Sequence, residues 1–233
     1  MPAVTLPPKA ALLLDLDGTL IDIAPTPDAV VVPPGLAESL RRAREICAGA
    51  LAVVTGRPVE QVDVLLGDIP YAVAGEHGGA IRHAPGAAIE RPALAELPAA
   101  WLPEAERIIA GFPGALLERK RHGFVFHYRG APDAGAPLQA AMAALLDGHA
   151  DRFAVMPALM AWEMKPRGAD KGTAGTALMA RAPFLGRVPV YIGDDTTDED
   201  GMRVARTLGG QGWRVREEFN DAEGVRAWLG RLT

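Results

Sequence analysis

The sequence predicts an α/β protein, a doubly wound parallel-sheet core with an inserted α+β cap. Three observations lead there. Short unbroken apolar runs at AALLL (10–14), LAVV (51–54) and VPVYI (188–192) read as strands buried on both faces. Each run stops abruptly at polar residues: Asp15-Leu16-Asp17-Gly18-Thr19, Thr55-Gly56-Arg57 and Gly193-Asp194-Asp195. From Arg82 to Met164 the strand–helix alternation gives way to hairpins and amphipathic helices, the pattern of a separate layer. The expected division is residues 1–81 as the first part of the core, 82–164 as the cap and 165–233 as the second part of the core.

The elements follow in order. After the first strand and a proline-rich loop (DIAPTPDAVVVPPG), Leu36, Leu40, Ala43 and Cys47 fall on one helical face over about 36–48. The strand at 51–54 then makes a βαβ unit. Pro58 suits the first position of a helix that carries Val59, Val62 and Leu66 inward, and a strand at Tyr71–Ala74 runs into Gly75-Glu76-His77-Gly78-Gly79. Within the cap, Leu102, Ala105, Ile109 and Phe112 mark one helix and Leu138, Met142 and Leu145 another. Two strands joined near Arg121-His122-Gly123 lie between them, and a second pair, Phe153–Met156 and Leu159–Met164, is expected around Pro157. The core pattern returns with a helix opening at Lys171, the strand at 188–192, a helix at Asp198–Leu208, a strand at Trp213–Val215 and a last helix with Val225, Trp228, Leu229 and Leu232.

Composition narrows the function. With 49% hydrophobic and 23% charged residues, the chain is of ordinary soluble globular type. A net charge of −5 argues against a general nucleic-acid binder, which would carry a basic stripe. The single cysteine, Cys47, excludes an internal disulfide and is read as a packing residue. No apolar stretch approaches the length of a membrane span, and MPAVTLPPK is too short and proline-broken for a signal peptide, so a cytoplasmic location is expected.

Parallel neighbours would bring the three polar strand ends to one rim, where open α/β sheets bind ligands. Two acids there, Asp15 and Asp17, repel each other and resist burial unless a cation or a reacting group compensates. Asp15 suits a nucleophile, since carboxylates form covalent phosphoryl intermediates. Asp17 suits an acid/base group for the leaving oxygen and the attacking water. Asp15, Asp17 and Asp194 are the metal-ligand candidates, with Asp195 and Asp198 beside them, in an oxygen-rich set that suits Mg2+ and also accommodates Mn2+ or Co2+. Thr55 offers a hydroxyl and Lys171 a point charge to a phosphate. Asp198 has two readings, helix cap or support behind the metal.

The motifs DLDGT, VVTGR, DKG and GDDTTDED, in this order, resemble those of the haloacid-dehalogenase-type phosphatases. More narrowly, TGRP, AGEHGG, LERK, FHYR, WEMKPRG and GDDTTDED resemble the trehalose-6-phosphate phosphatase family along nearly the whole chain. The resemblance implies a Rossmann-like core, a mobile α/β cap that closes over the substrate, and Mg2+-dependent hydrolysis of trehalose 6-phosphate. It implies Asp15 as nucleophile, Asp17 as acid/base, Thr55 and Lys171 as phosphate ligands and Asp194 as metal ligand. It places Glu118, Lys120 and Glu163 on the distal glucose, with Arg57, His77 and Arg129 near the substrate, and suggests functional coupling to a trehalose-phosphate synthase. The family usually has Phe where this chain has Met202, an apolar helix position.

Duller readings stand beside these. Glu118 and Lys120 can form an exposed charged face, His77 can serve only backbone groups, and His127 can line the cap cleft or merely sit in its sheet. His122 and His149 read as surface residues. Gly56, Gly75 and Gly193 are expected to permit close backbone approach. The rival functions are the same chemistry on sucrose 6-phosphate or mannosyl-3-phosphoglycerate, a phosphorylated signalling domain, and a catalytically inactive regulatory domain.

Overall fold

The computed structural model describes residues 4–24, 29–120 and 122–232. Part of the expected proline-rich loop (25–28), Arg121 in the expected hairpin turn and the first three residues of the arm lie outside the described residues. The chain forms two compact units, one reaching to Pro92 and resuming at Ala169, the other Ala93–Gly168.

In chain order the first unit runs β1 (Ala10–Leu14), α1 (Leu36–Ile46), β2 (Leu51–Val54), α2 (Val59–Leu66), β3 (Ala72–Gly75), β4 (Ala80–Arg82) and β5 (Ile89–Glu90). The second comprises α3 (Trp101–Ala110), β6 (Leu116–Arg119), β7 (Phe124–His127), α4 (Gly135–Leu146), β8 (Phe153–Ala158) and β9 (Ala161–Pro166). The first then resumes with α5 (Lys171–Met179), β10 (Val188–Gly193), α6 (Asp198–Thr207), β11 (Gln211–Arg214), α7 (Val215–Glu218) and α8 (Ala222–Leu229).

The first unit is a seven-stranded sheet in the order β11-β10-β1-β2-β3-β4-β5. β11 to β3 are mutually parallel, and β4 and β5 add antiparallel strands at one edge. Every residue of β1 and β2 is buried, which is why these strands read as unbroken apolar runs rather than alternating ones. Register sets the rim: Leu14 pairs with Ile192 on one side and Val53 on the other. Asp15 is therefore level with Val54 and Gly193, and Asp15, Thr55 and Asp194 emerge within one residue of each other at the C-terminal ends of their strands.

The unit boundaries differ from those expected at 82 and 165. β4 and β5 extend the core sheet by pairing antiparallel onto β3, and Arg82 ties β4 to α2 through Asp63 at 2.6 Å. The change of texture near residue 80 is thus an antiparallel margin of the core sheet. At the other end, β9 stays paired with β8 as far as Pro166, and the Arg167 guanidinium donates to the carbonyls of Ala150 and Phe153.

The second unit is an antiparallel sheet in the order β6-β7-β9-β8. Its core gathers Trp101, Ala105, Leu138 and Met142 of α3 and α4 with Phe124, Phe126, Phe153 and Met164 of the sheet. Pro157 does not divide the second strand pair as expected. It lies inside β8, an edge strand, where a missing N–H disrupts no ladder. The reversal falls instead at Leu159-Met160, with Met160 in the left-handed region at φ 54°. β11 ends at Arg214, and Val215 begins a short helix rather than closing the strand.

Cys47 is buried against the core, and burial pushes its thiol up to about 11. At pH 8 the native protein is therefore expected to resist iodoacetamide, alkylating only as fast as it unfolds. Rapid labelling of the folded chain, read by intact mass, would contradict that packing. Among the described residues no helix is long and apolar enough to cross a membrane.

Candidate active site

Asp15 follows β1, where its N–H donates to the Ile192 carbonyl at 2.9 Å, continuing the ladder one residue past the strand. Its carboxylate is buried. Oδ1 accepts from Lys171 Nζ at 2.7 Å, and Oδ2 lies 3.1 Å from the Thr19 hydroxyl, which is itself 3.3 Å from Asp194 Oδ1. Gly18, at φ 78°, lets the chain turn here, and a Cβ at this position would collide with the Asp194 carboxylate.

Lys171 is the first residue of α5, whose start is fixed by a reciprocal cap. Asp170 Oδ1 accepts from the Thr173 N–H at 2.7 Å, and Thr173 Oγ1 accepts from the Asp170 N–H at 3.1 Å. The buried ammonium bridges Asp15 Oδ1 and Asp198 Oδ1, both at 2.7 Å. Asp198 is fully buried and is not the cap of α6, a position Thr197 occupies. Its Oδ1 also accepts from the Tyr191 hydroxyl at 2.8 Å, and its Oδ2 from the Asp195 N–H at 3.1 Å. This close seating requires Gly193, where a Cβ would collide with the Asp198 carboxyl carbon. The sequence reading missed Tyr191; its one signal was a phenol inside an apolar strand, which needs a polar partner once buried.

Asp17, expected among the metal ligands, turns its carboxylate to Arg57 instead, with Arg57 Nε and Nη2 each donating to one oxygen at 2.7 Å. Thr55 is buried after β2, and its Oγ1 accepts from the Arg57 N–H at 3.2 Å. His77 sits in a tight turn, Glu76–Gly78, with its N–H donating to the Thr55 carbonyl at 2.9 Å. Its ring lies against Gly56, close enough that a Cβ there would fall 2.6 Å from Nε2. The core thus gathers Asp15, Thr55, Lys171, Asp194 and Asp198 at one rim, with the Asp17–Arg57 pair and His77 on the adjoining turns.

Burial holds the Asp15 carboxyl well above the usual carboxylate range; Lys171 pulls it back, while Asp198 and Asp194 push it further up. Burial and Asp198 likewise raise Asp194. Burial works against the Lys171 ammonium, but Asp15 and Asp198 outweigh it and hold its pKa above the ordinary value. Asp15, Asp194 and Asp198 each offer an oxygen, all within 4.8 Å of one another. An all-carboxylate set carrying more negative charge than one ammonium neutralises matches the hard, oxygen-seeking Mg2+. The donor set fits that ion; of the three, Asp198 is the most engaged already, by Lys171, Tyr191 and the Asp195 N–H.

In the second unit, cross-strand register puts Glu118, Val125 and Glu163 in one row. Lys120 Nζ donates to Glu163 Oε1 at 2.8 Å, and His127 Nε2 lies 2.7 Å from Glu118 Oε2. Glu118, Lys120 and Glu163 thus share the sheet face that the apolar cluster leaves open, and His127 joins them. Arg129 is exposed beyond the end of β7, outside these contacts.

The family model for trehalose-phosphatase matches residues 13–225. The trehalose-6-phosphate phosphatase of Escherichia coli (strain K12) is 37% identical over 236 residues, covering 97% of this chain and 87% of that protein. A probable trehalose-phosphate phosphatase of Sinorhizobium fredii is 38% identical over 205 residues, covering 88% and 77%. The C-terminal domain of C. albicans trehalose-6-phosphate phosphatase shares the fold at a TM-score of 0.74 and 20% identity, covering 95% of this chain and 91% of that one. A buried aspartate at a strand end, a lysine bridging two acids and a match spanning both units agree: the chain belongs to the trehalose-phosphatase family and is a phosphatase.

Proposed function

We propose that this chain hydrolyses trehalose 6-phosphate to trehalose and inorganic phosphate through a phosphoryl group carried on Asp15, with Mg2+ as its metal. The observation that carries the reading is Asp15 itself. It is a buried carboxylate at a strand end, held by Lys171 at 2.7 Å and flanked by Asp194. Asp15 and Asp194, with Asp198 beside them, would hold the ion. When bound, Mg2+ neutralises charge between the Asp15 carboxylate and the incoming phosphate dianion.

An Asp15 carboxylate oxygen attacks phosphorus, and the bond to the sugar C6 oxygen breaks. Asp17 gives that oxygen a proton and trehalose leaves. A water then attacks phosphorus, Asp17 takes its proton, and the acyl-phosphate P–O bond breaks, restoring Asp15 and releasing phosphate. Once Arg57 exchanges the Asp17 carboxylate for a substrate oxygen, Asp17 takes a proton from solvent and reaches the leaving oxygen in its acid form; the proton it later takes from the attacking water restores that form. Lys171 keeps Asp15 aimed and offsets charge on the transferring group, for which Thr55 and His77 supply further polar contacts. Glu118, Lys120 and Glu163 supply hydrogen-bonding partners for the second glucose, and through it the choice of substrate.

Phosphate release from trehalose 6-phosphate, glucose 6-phosphate, sucrose 6-phosphate and mannosyl-3-phosphoglycerate, with Mg2+ and with EDTA, tests the reading. Mg2+-dependent preference for trehalose 6-phosphate is expected. Faster turnover of another substrate would overturn the sugar assignment, and activity unaffected by EDTA would overturn the metal. Glu118→Ala is expected to raise KM for trehalose 6-phosphate about tenfold, with a smaller change on p-nitrophenyl phosphate, which has no second sugar. Equal effects on both substrates would remove Glu118 from the sugar contacts.

A further inference from the structure

The turn after β3 holds three successive residues in the left-handed region: Glu76 at φ 53°, His77 at 54° and Gly78 at 95°. Residues with a Cβ avoid this region, and two of them in succession persist only where the surroundings hold them. Backbone bonds supply part of the hold. The Glu76 N–H donates to the Arg57 carbonyl at 2.9 Å, the His77 N–H donates to the Thr55 carbonyl, and Gly78 packs so closely that a Cβ would fall 2.6 Å from the Asp170 carbonyl. The turn therefore carries the His77 ring over Gly56 and grips the backbone of Arg57, whose side chain forks Asp17.

A side chain completes the hold. Both Glu76 carboxylate oxygens accept from a single nitrogen, Arg91 Nη1, at 2.8 Å each. Arg91 follows β5 directly, and its neighbour Glu90 is itself held by Arg181 at 2.7 and 2.9 Å. The guanidinium is thus anchored at the sheet's edge strand and reaches across to the turn. An ordinary surface ion pair contributes little. This one ties two successive left-handed residues to the edge strand, and the turn they form carries His77 and bonds the Arg57 carbonyl.

We propose that Arg91, acting through Glu76, is a positioning residue that keeps His77 and Arg57 in place at the phosphate end of the substrate. The proposal rests on the reading that those two residues serve that end. No motif in the sequence includes Arg91, so only the folded chain brings it forward.

The test is steady-state kinetics with Mg2+ on trehalose 6-phosphate and p-nitrophenyl phosphate. Arg91→Met is expected to lose about tenfold in kcat/KM on both substrates, because the phosphate end is common to them. Glu76→Gln is expected to lose a similar factor, and the double variant no more than either single one. Arg91→Lys should keep most of the activity, since one nitrogen makes both contacts and an ammonium can replace it. A third comparison tests whether Arg91 acts only through Glu76, while the rescue by Arg91→Lys speaks for positioning. In a Glu76→Gly background, where the turn no longer strains a side chain, Arg91→Met should change nothing further. Wild-type kcat/KM in Arg91→Met, losses that multiply in the double variant, or an undiminished Arg91→Met effect in the Glu76→Gly background would each overturn the proposal. If trehalose 6-phosphate is not the substrate, p-nitrophenyl phosphate still reports these effects, so the two failures are read apart.

Discussion

Asp15→Asn is expected to lose about four orders of magnitude or more in kcat on trehalose 6-phosphate while leaving the fold intact. The amide has the shape of the carboxylate but cannot form the acyl phosphate. The fold should tolerate the change because burial already penalises the charged form of Asp15, and Lys171 keeps its second partner in Asp198. A melting temperature within a few degrees of wild type, beside a kcat at the detection limit, is the expected pair of results. A variant that keeps more than a small fraction of its activity would remove Asp15 from the chemistry. A variant that fails to fold would show the site to be structural.

Lys171→Met is expected to be the most damaging substitution to both stability and activity. It leaves Asp15 and Asp198 buried with no cation between them, and breaking a buried pair costs about 3–5 kcal/mol. For a chain of this size that is a fall in melting temperature of roughly 10 °C. The pH dependence has a definite sign. The Asp15 pKa already lies above its unfolded value, and removing Lys171 removes the main influence pulling it down. An acid with a raised folded pKa contributes stability below its unfolded pKa and loses it as pH rises through the folded one. The deficit of Lys171→Met relative to wild type should therefore shrink as pH falls from 8 towards 5, measured by thermal melts with EDTA present. A deficit that is constant or grows on acidification would contradict the bridge.

The core was legible in the sequence because its strands are buried on both faces. AALLL, LAVV and VPVYI are apolar for that reason, and their polar ends mark the rim once register aligns them. The family resemblance, carried by the strand-end motifs, pointed to the same residues. β4 and β5 were not legible, since strands of three and two residues leave no period to count, and the boundary at 82 failed for that reason. Pro157 misled because proline signals a break in a central strand, yet β8 is an edge. The partners of Asp17, Asp198 and Glu76 lie 40, 27 and 15 residues away, as Arg57, Lys171 and Arg91. Only the folded chain brings such pairs together, and the carboxylates gave no sign of which cation each would find.

The central claim is that phosphate passes through Asp15 on its way from sugar to water. The stereochemical course at phosphorus, followed with an isotopically chiral phosphate ester of trehalose in labelled water, tests it most directly. Two successive in-line displacements, first by Asp15 and then by water, predict overall retention of configuration. Inversion would mean that water attacks the substrate directly, and would contradict the account.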